Sequence, residues 1–280
     1  MKLLVTGSSG YIGAAIAARL RREADVVGLD LRPGPETTRV GDITDEDLVG
    51  HMLRGVSAVV HSAALHVPHL ADSTEREFQR VNVDGTRTMV EAAAASGVSR
   101  FVLTSTTSVY GCSERGGPPA TWAGEELAPQ PADVYDRTKL AAEELVRRAS
   151  EGRMSSVILR MSRCFPESEH LVAFYRMYRG VDRRDAAEAH HQAVVGPVTG
   201  SVTVNVSAAS PFRAEDLAAL WDDPWPVIER RVPGVRAAFK QRGWPLPPRI
   251  DRVYPVEHAA RLLGYRPRYG VDRLLGLARG

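Results

Sequence analysis

Within Tyr135-Asp136-Arg137-Thr138-Lys139 a phenol and an ammonium stand four residues apart. On a helix that spacing places them one turn from each other on one face. A cation there stabilises a phenolate, so Tyr135 is expected to serve as a general acid or base well below its free pKa of about 10. A second reactive set is the hydroxyl cluster Ser105-Thr106-Thr107-Ser108, which closes the apolar run Arg100-Phe101-Val102-Leu103-Thr104. A Thr106 hydroxyl near Tyr135 would hydrogen-bond an alcohol or carbonyl oxygen and hold it for proton transfer. The plainer alternatives are a solvated helix face for the Tyr/Lys pair and helix capping for the hydroxyls.

A third feature is Thr6-Gly7-Ser8-Ser9-Gly10-Tyr11-Ile12-Gly13, with glycines at relative positions 1, 4 and 7. It follows an apolar run and opens an Ala-rich, helix-forming one. Such a turn lets backbone approach a pyrophosphate closely, and the helix N-terminus offers free N–H groups and a favourable dipole. Asp30 ends the next apolar run, seventeen residues after Gly13. An acidic side chain there accepts both ribose hydroxyls of NAD and repels a 2′-phosphate, which favours NAD over NADP. Arg32 nearby softens that discrimination. His61, His66, His69, His190 and His191 have no carboxylate or Cys partner at ligand spacing, so a structural role is expected for them and no metal.

These groups need elements to hold them. Lys2–Thr6, Asp25–Asp30, Val56–His61, Arg100–Ser105, Val157–Arg160 and Ser201–Val206 read as strands. Helical stretches are expected over 14–20, after a capping box at Thr44-Asp45-Glu46-Asp47, over about 73–95 and over about 132–149. Strands alternating with helices argue for an α/β fold, a Rossmann-type doubly wound parallel sheet whose ligands bind at the carboxyl ends of the strands. The first domain is expected over 1–162, rejoined by about 180–207. Residues 163–179 and 208–280 would form a small, irregular substrate cap, dense in proline from Pro224 through Pro247 to Pro267. Trp221, Trp225 and Trp244 read as packing of that cap, with a substrate-stacking platform as the alternative.

Composition agrees with a globular protein: 280 residues, 44% hydrophobic and 25% charged. A net charge of +2 leaves no electrostatic footprint for nucleic acid or a membrane surface. Lys occurs only at positions 2, 139 and 240, so 33 of the 36 basic residues are Arg. Two cysteines, Cys112 and Cys164, are too few for a disulfide framework. No apolar run reaches a membrane-spanning length, and the first strand leaves no room for a signal peptide, so a cytoplasmic location is expected.

Together these parts resemble the extended short-chain dehydrogenase/reductases, in their branch of NAD-dependent sugar epimerases and dehydratases. The resemblance covers nearly the whole chain. Besides the glycine turn and Tyr135 to Lys139, it rests on Gly41-Asp42-Ile43-Thr44, His61-Ser62-Ala63-Ala64, Asn82-Val83-Asp84-Gly85-Thr86 and Thr104-Ser105-Thr106-Thr107-Ser108-Val109-Tyr110-Gly111. It implies that Asp42 and Ile43 face the adenine, that Ala63 and Ala64 line the cofactor cleft, and that Asn82 supports the central helix beside the nicotinamide. It makes Thr106 the catalytic hydroxyl and gives Lys139 two tasks, lowering the pKa of Tyr135 and hydrogen-bonding the nicotinamide ribose. A homodimer through the two long central helices is implied as well.

The chain departs from the family in two places. Dehydratases resemble it except for an Asp-Glu pair after the catalytic Thr, where this chain has Thr107-Ser108, so elimination of water by that route is not expected. The long insertion that grips a nucleotide diphosphate is largely missing after Arg160. The stretch Arg160-Met161-Ser162-Arg163-Cys164-Phe165-Pro166-Glu167 is similar to the short uronate dehydrogenases, which offers Arg163 and Arg176 as substrate contacts, or as structural ion pairs; Thr107 is a further candidate substrate contact. The expectation is an NAD-dependent oxidoreductase acting on a small carbohydrate or polyol. A sugar epimerase with the same site and a non-catalytic NAD-binding protein are the alternatives.

Overall fold

The structure is a computed structural model and describes residues 1–114, 117–152, 154–246 and 248–277. Pro247 and the side chain of Cys112 lie outside the described residues; Cys164 is a free, buried thiol. Strands β1 (Lys2–Thr6), β2 (Asp25–Asp30), β3 (Arg39–Val40), β4 (Ala58–His61), β5 (Arg100–Thr106), β7 (Ser155–Met161) and β8 (Ser201–Val206) form one sheet. Its order is β3-β2-β1-β4-β5-β7-β8 and every pair is parallel. The order reverses between β1 and β4, which opens a crevice at their carboxyl ends. Two strands escaped the sequence reading besides the exposed two-residue β3: β6 (Thr121–Trp122) and β9 (Arg252–Val253), which pair only with each other. Runs of two residues carry no period to read.

Alternation along the strands builds a core on each face. Leu3, Val5, Val60, Val157 and Leu159 pack with Ile16 and Leu20 of α1 (Tyr11–Leu20) and with Ala186 and Ala193 from a later helix. Leu4, Val59, Phe101, Leu103 and Ile158 pack on the other side. There they meet α2 (Glu46–Met52), α4 (Gly85–Ala95) and α5 (Val134–Ala149). A short α3 (Glu75–Phe78) precedes α4. Helix α2 is capped one residue later than the sequence pattern suggests, by Asp45 accepting from the Leu48 amide at 3.0 Å. The third core holds α6 (Glu169–Tyr175) and the C-terminal helices, with Trp225 and Trp244 both edge-on to Phe239. Beyond α6, α7 (Arg183–Val195) returns the chain to the sheet.

The stretch expected as one helix over 73–95 is broken by a π-helical turn at Gln79–Asp84, which contains Asn82. Such turns accommodate an extra residue and displace side chains from the helical period. Buried Asn82 uses its displacement fully. Its Oδ1 accepts from the Leu65 amide at 2.8 Å, and Nδ2 donates to the Leu65 carbonyl at 2.9 Å and to Thr138 Oγ1 at 3.0 Å. The side chain thereby ties α5 to the loop after β4.

His61 is fully buried between Thr6 Oγ1, 2.8 Å from Nδ1, and Thr86 Oγ1, 3.0 Å from Nε2. Thr86 donates to the Asn82 carbonyl at 2.6 Å, so it accepts from His61 and the proton sits on Nε2. Burial pushes the His61 pKa down to about 3 and that of His190 to about 4. Both are neutral when folded and take up protons when unfolded near pH 6.5, so their contribution to stability declines as pH falls from about 6.5 to about 4. The urea midpoint should fall over that window; a midpoint flat from pH 7 to 4.5 would contradict this account. Among the described residues no three His, Cys, Asp or Glu side chains converge to hold a metal ion. No helix there is long and apolar enough to cross a membrane.

Candidate active site

The glycine turn joins β1 to α1 as the sequence suggests, and close packing explains its glycines. Gly7 has a φ of +72°, and a Cβ on it would lie 2.8 Å from the Ala63 backbone nitrogen. A Cβ on Gly13 would stand 2.0 Å from the Gly7 carbonyl oxygen. Gly10 occupies the N-cap of α1, brings no side chain to cap it, and no acidic residue stands in the first turn. The helix start at Tyr11 and Ile12 is therefore open to an anion. Ala63 and Ala64 follow β4 at the same crevice, and the Ala63 amide donates to Thr6 Oγ1 at 3.2 Å.

Asp30 stands at the end of β2 and accepts from the Ser9 amide with Oδ2 and from the Arg32 amide with Oδ1, both at 2.9 Å. A carboxylate has about four acceptor sites, so capacity for ribose hydroxyls remains. Asp42 pairs with Arg80 at 2.9 Å. Burial would raise its carboxyl, but Arg80 and the Thr44 amide prevail and hold it below its usual range. The Ile43 side chain is in the core against Gly85, where a Cβ would lie 2.6 Å from Ile43 Cδ1. Only the Ile43 backbone is left to face an adenine.

Helix α5 starts where it does because Asp133 caps it, accepting from the Asp136 amide at 2.9 Å. Tyr135 thus falls in the first turn, half-buried and close enough to the Thr106 hydroxyl at the end of β5 for that hydroxyl to favour its phenolate. Lys139, one turn on, is buried, and its Nζ donates to the Thr104 carbonyl at 2.7 Å. The Tyr135 phenol is held above its ordinary pKa, first by burial and then by the Asp136 and Asp133 carboxylates, against the pull of the nearby Thr106 hydroxyl. The Lys139 ammonium is turned to the β5 backbone one turn below the phenol.

Burial pushes Lys139 down to about 8, opposed by Glu143. Between about pH 8 and 10.5 the unfolded chain binds the proton that the folded one has lost, so stability from this group rises with pH over that window. Urea midpoints at pH 7.5 and 9.5 should rise less in Lys139→Met than in the wild type. Equal rises would contradict the burial of a strained ammonium.

The proposed substrate contacts fare differently. The buried Thr107 hydroxyl is turned to the Met161 carbonyl, at 3.4 Å, and lies by Tyr254. Arg163 pairs with Glu167 at 2.6 Å, and Arg176 with Asp182 at 2.9 Å. Both line a cavity of about 140 Å³ beside Tyr11, Phe165, Tyr175 and Arg183, but each guanidinium already has its carboxylate. Phe165 stacks on His66 at 5.7 Å, and His66 is close enough to feel the Lys139 charge.

Sequence reasoning gave no role to Asp136, Glu143 or Arg160 and took Ser108 only as one member of a hydroxyl cluster. Ser108 Oγ donates to Asp136 Oδ1 at 2.6 Å. Buried Glu143 accepts from Ser105 Oγ at 2.6 Å and from Arg160 Nη2 at 2.8 Å, fixing α5 to β5 and β7. The readable signal was Arg160 itself, since a charge inside an apolar strand demands a buried partner.

Sheet order, uncapped glycine turn and strand-end Tyr/Thr pair define a Rossmann-type, dinucleotide-binding α/β protein. Residues 3–200 match the family model described as "NAD dependent epimerase/dehydratase family". The chain belongs to that family of NAD-dependent enzymes. It is 36% identical over 159 residues to a 3-beta-hydroxysteroid dehydrogenase of Mycolicibacterium neoaurum, covering 52% of this chain and 42% of that one. It thus spans less than half the length of this curated relative. A short-chain dehydrogenase/reductase superfamily protein of Agrobacterium tumefaciens, solved with bound NAD, has a TM-score of 0.75 and 27% identity, over 99% of this chain and 95% of that one. MoeE5 in complex with UDP-glucuronic acid and NAD has a TM-score of 0.73 and 25% identity, over 99% and 97%.

Proposed function

We propose that the protein is an NAD-dependent oxidoreductase acting on a carbohydrate-like secondary alcohol or hemiacetal. The observation that carries this reading is the juxtaposition of Tyr135, in the first turn of α5, with Thr106 at the end of β5, with Lys139 one turn below. Uncapped α1, the glycine turn and Asp30 fit a dinucleotide. Thr106 holds the substrate oxygen, Tyr135 exchanges a proton with it, and Lys139 supplies the positive charge beneath. Bound NAD supplies the hydride acceptor. Residues 163–179 and 208–280 form the substrate cap over a nucleotide-binding domain at 1–162 and about 180–207. The working form is a homodimer through α4 and α5, in the cytoplasm. The second reading, a sugar epimerase using the same three residues, is supported by the family description.

A dehydrogenase releases NADH at each turnover, whereas an epimerase retains its nucleotide. Protein passed through gel filtration and then denatured should release less than about 0.1 equivalent of nucleotide, as expected for a cofactor bound in the micromolar range. A full equivalent of NAD would favour the epimerase. Asp30→Ala should weaken NAD binding about tenfold or more and narrow its preference over NADP, measured by fluorescence titration with both nucleotides. Unchanged affinities would remove Asp30 from the cofactor site.

A further inference from the structure

We propose that Arg183 clamps the pyrophosphate of the bound dinucleotide, closing from α7 the anion site that the glycine turn opens at the start of α1. The inference rests on the cofactor site and is independent of which substrate the protein takes. Helices α1 and α7 pack against each other, with Ile16, Leu20, Ala186 and Ala193 in one core. Their first residues meet, since Arg183 Cζ lies 5.2 Å from the centre of the Tyr11 ring. The two helix starts differ in charge. Asp182 caps α7, its Oδ1 accepting from the Arg184 amide at 2.8 Å, and Asp185 adds a carboxylate in the first turn. Helix α1 has neither a capping side chain nor an acid in its first turn, so the partial positive charge of its N–H groups is unanswered.

Arg183 adds a full positive charge beside that bare start. Its guanidinium stays protonated at any working pH, and among the described residues no carboxylate pairs with it. The nearby carboxylates are engaged elsewhere: Glu167 with Arg163 at 2.6 Å, Asp182 with Arg176 at 2.9 Å and with Arg184 at 2.8 Å. Of the three Arg that line the cavity of about 140 Å³ beside Tyr11, Arg183 is therefore the one still open to an anion. Side chains on a helix tilt toward its N-terminus, so the Tyr11 ring leans to the end where the free N–H groups of α1 point and carries the guanidinium with it. Tyr11 is 42% exposed and Arg183 is exposed as well, so the pair closes on a ligand without disturbing the core. A substrate anion is the other candidate for this cation. The pyrophosphate is favoured because each of its phosphates carries a negative charge, and because the α1 amides and Arg183 converge on one place.

Isothermal titration calorimetry of the whole chain with NAD and with ADP-ribose makes the test. Arg183→Met removes the charge and keeps an apolar stem, and it should raise the Kd for NAD about tenfold at low salt, with Arg183→Glu raising it further. ADP-ribose keeps the pyrophosphate and lacks the nicotinamide, so it should lose the same factor. At about 0.5 M salt the gap between wild type and Arg183→Met should shrink to about threefold, because an exposed charge is screened. Tyr11→Leu removes the platform and should raise the Kd about threefold. Thermal melts of each variant confirm that the fold is intact. Affinities for NAD and ADP-ribose within about twofold of wild type in both Arg183→Met and Arg183→Glu would overturn the clamp. A raised KM for the substrate at unchanged NAD affinity would assign Arg183 to the substrate and overturn it equally. The titration needs no turnover, so a wild type that binds NAD and yields no NADH with any sugar contradicts the proposed function alone.

Discussion

Tyr135→Phe should lower kcat by about 10³-fold while leaving NAD affinity within about twofold. The ring is retained, so packing survives, and only the oxygen that exchanges a proton with the substrate is lost. The phenol stands beside Thr106 and is not the group that closes the nucleotide cradle, whose close approaches are Gly7 to Ala63 and Gly13 to Gly7. Turnover and cofactor binding therefore separate. Steady-state kinetics on the fastest substrate, with a parallel fluorescence titration by NAD, checks both halves. A variant keeping a tenth of wild-type kcat would remove Tyr135 from proton transfer.

Glu143→Ala should cost about 3–5 kcal/mol, and with it about 10 °C of Tm. The side chain is fully buried and accepts from Ser105, from Arg160 through Nε at 3.0 Å and Nη2 at 2.8 Å, and from Arg147 at 2.6 Å. Burial alone would raise its carboxyl, but Arg160, Ser105 and Arg147 hold it below the usual range. Truncation strands Arg160, only 5% exposed in its side chain, over the Tyr110 ring. Glu143→Ala with Arg160→Met should recover much of the loss, because the penalty lies in the unpaired charge. Thermal melts of the two variants decide it, and a single-variant loss under about 2 °C would contradict a cooperative role for the pair. The sign with pH follows: a depressed carboxyl contributes stability above about pH 4.5 that is lost as pH falls through its folded value.

Much of this architecture was legible because its signals are local. Leu3 to Val5 and Val157 to Leu159 alternate between two cores, and the glycines announce a turn that a Cβ would block. The Tyr135 to Lys139 spacing placed both groups on one helix. What the spacing left open is where Lys139 points, since a long side chain chooses among partners that only packing brings near, here the Thr104 carbonyl. Asp136 was passed over as an intervening residue, although Asp133 and Ala132 fix it at the helix start. The Arg163 and Arg176 assignments met the same limit. Their carboxylates, Glu167 and Asp182, lie four and six residues away, within reach in sequence yet paired only by the fold.

Absorbance at 340 nm bears most directly on the central claim. Purified protein with excess NAD would be offered free uronates, aldoses, polyols and nucleotide sugars in turn. The account predicts stoichiometric NADH with one class of sugar or polyol and none from Tyr135→Phe. Absence of NADH with every compound, together with a new stereoisomer in chromatography of a nucleotide sugar, would contradict it.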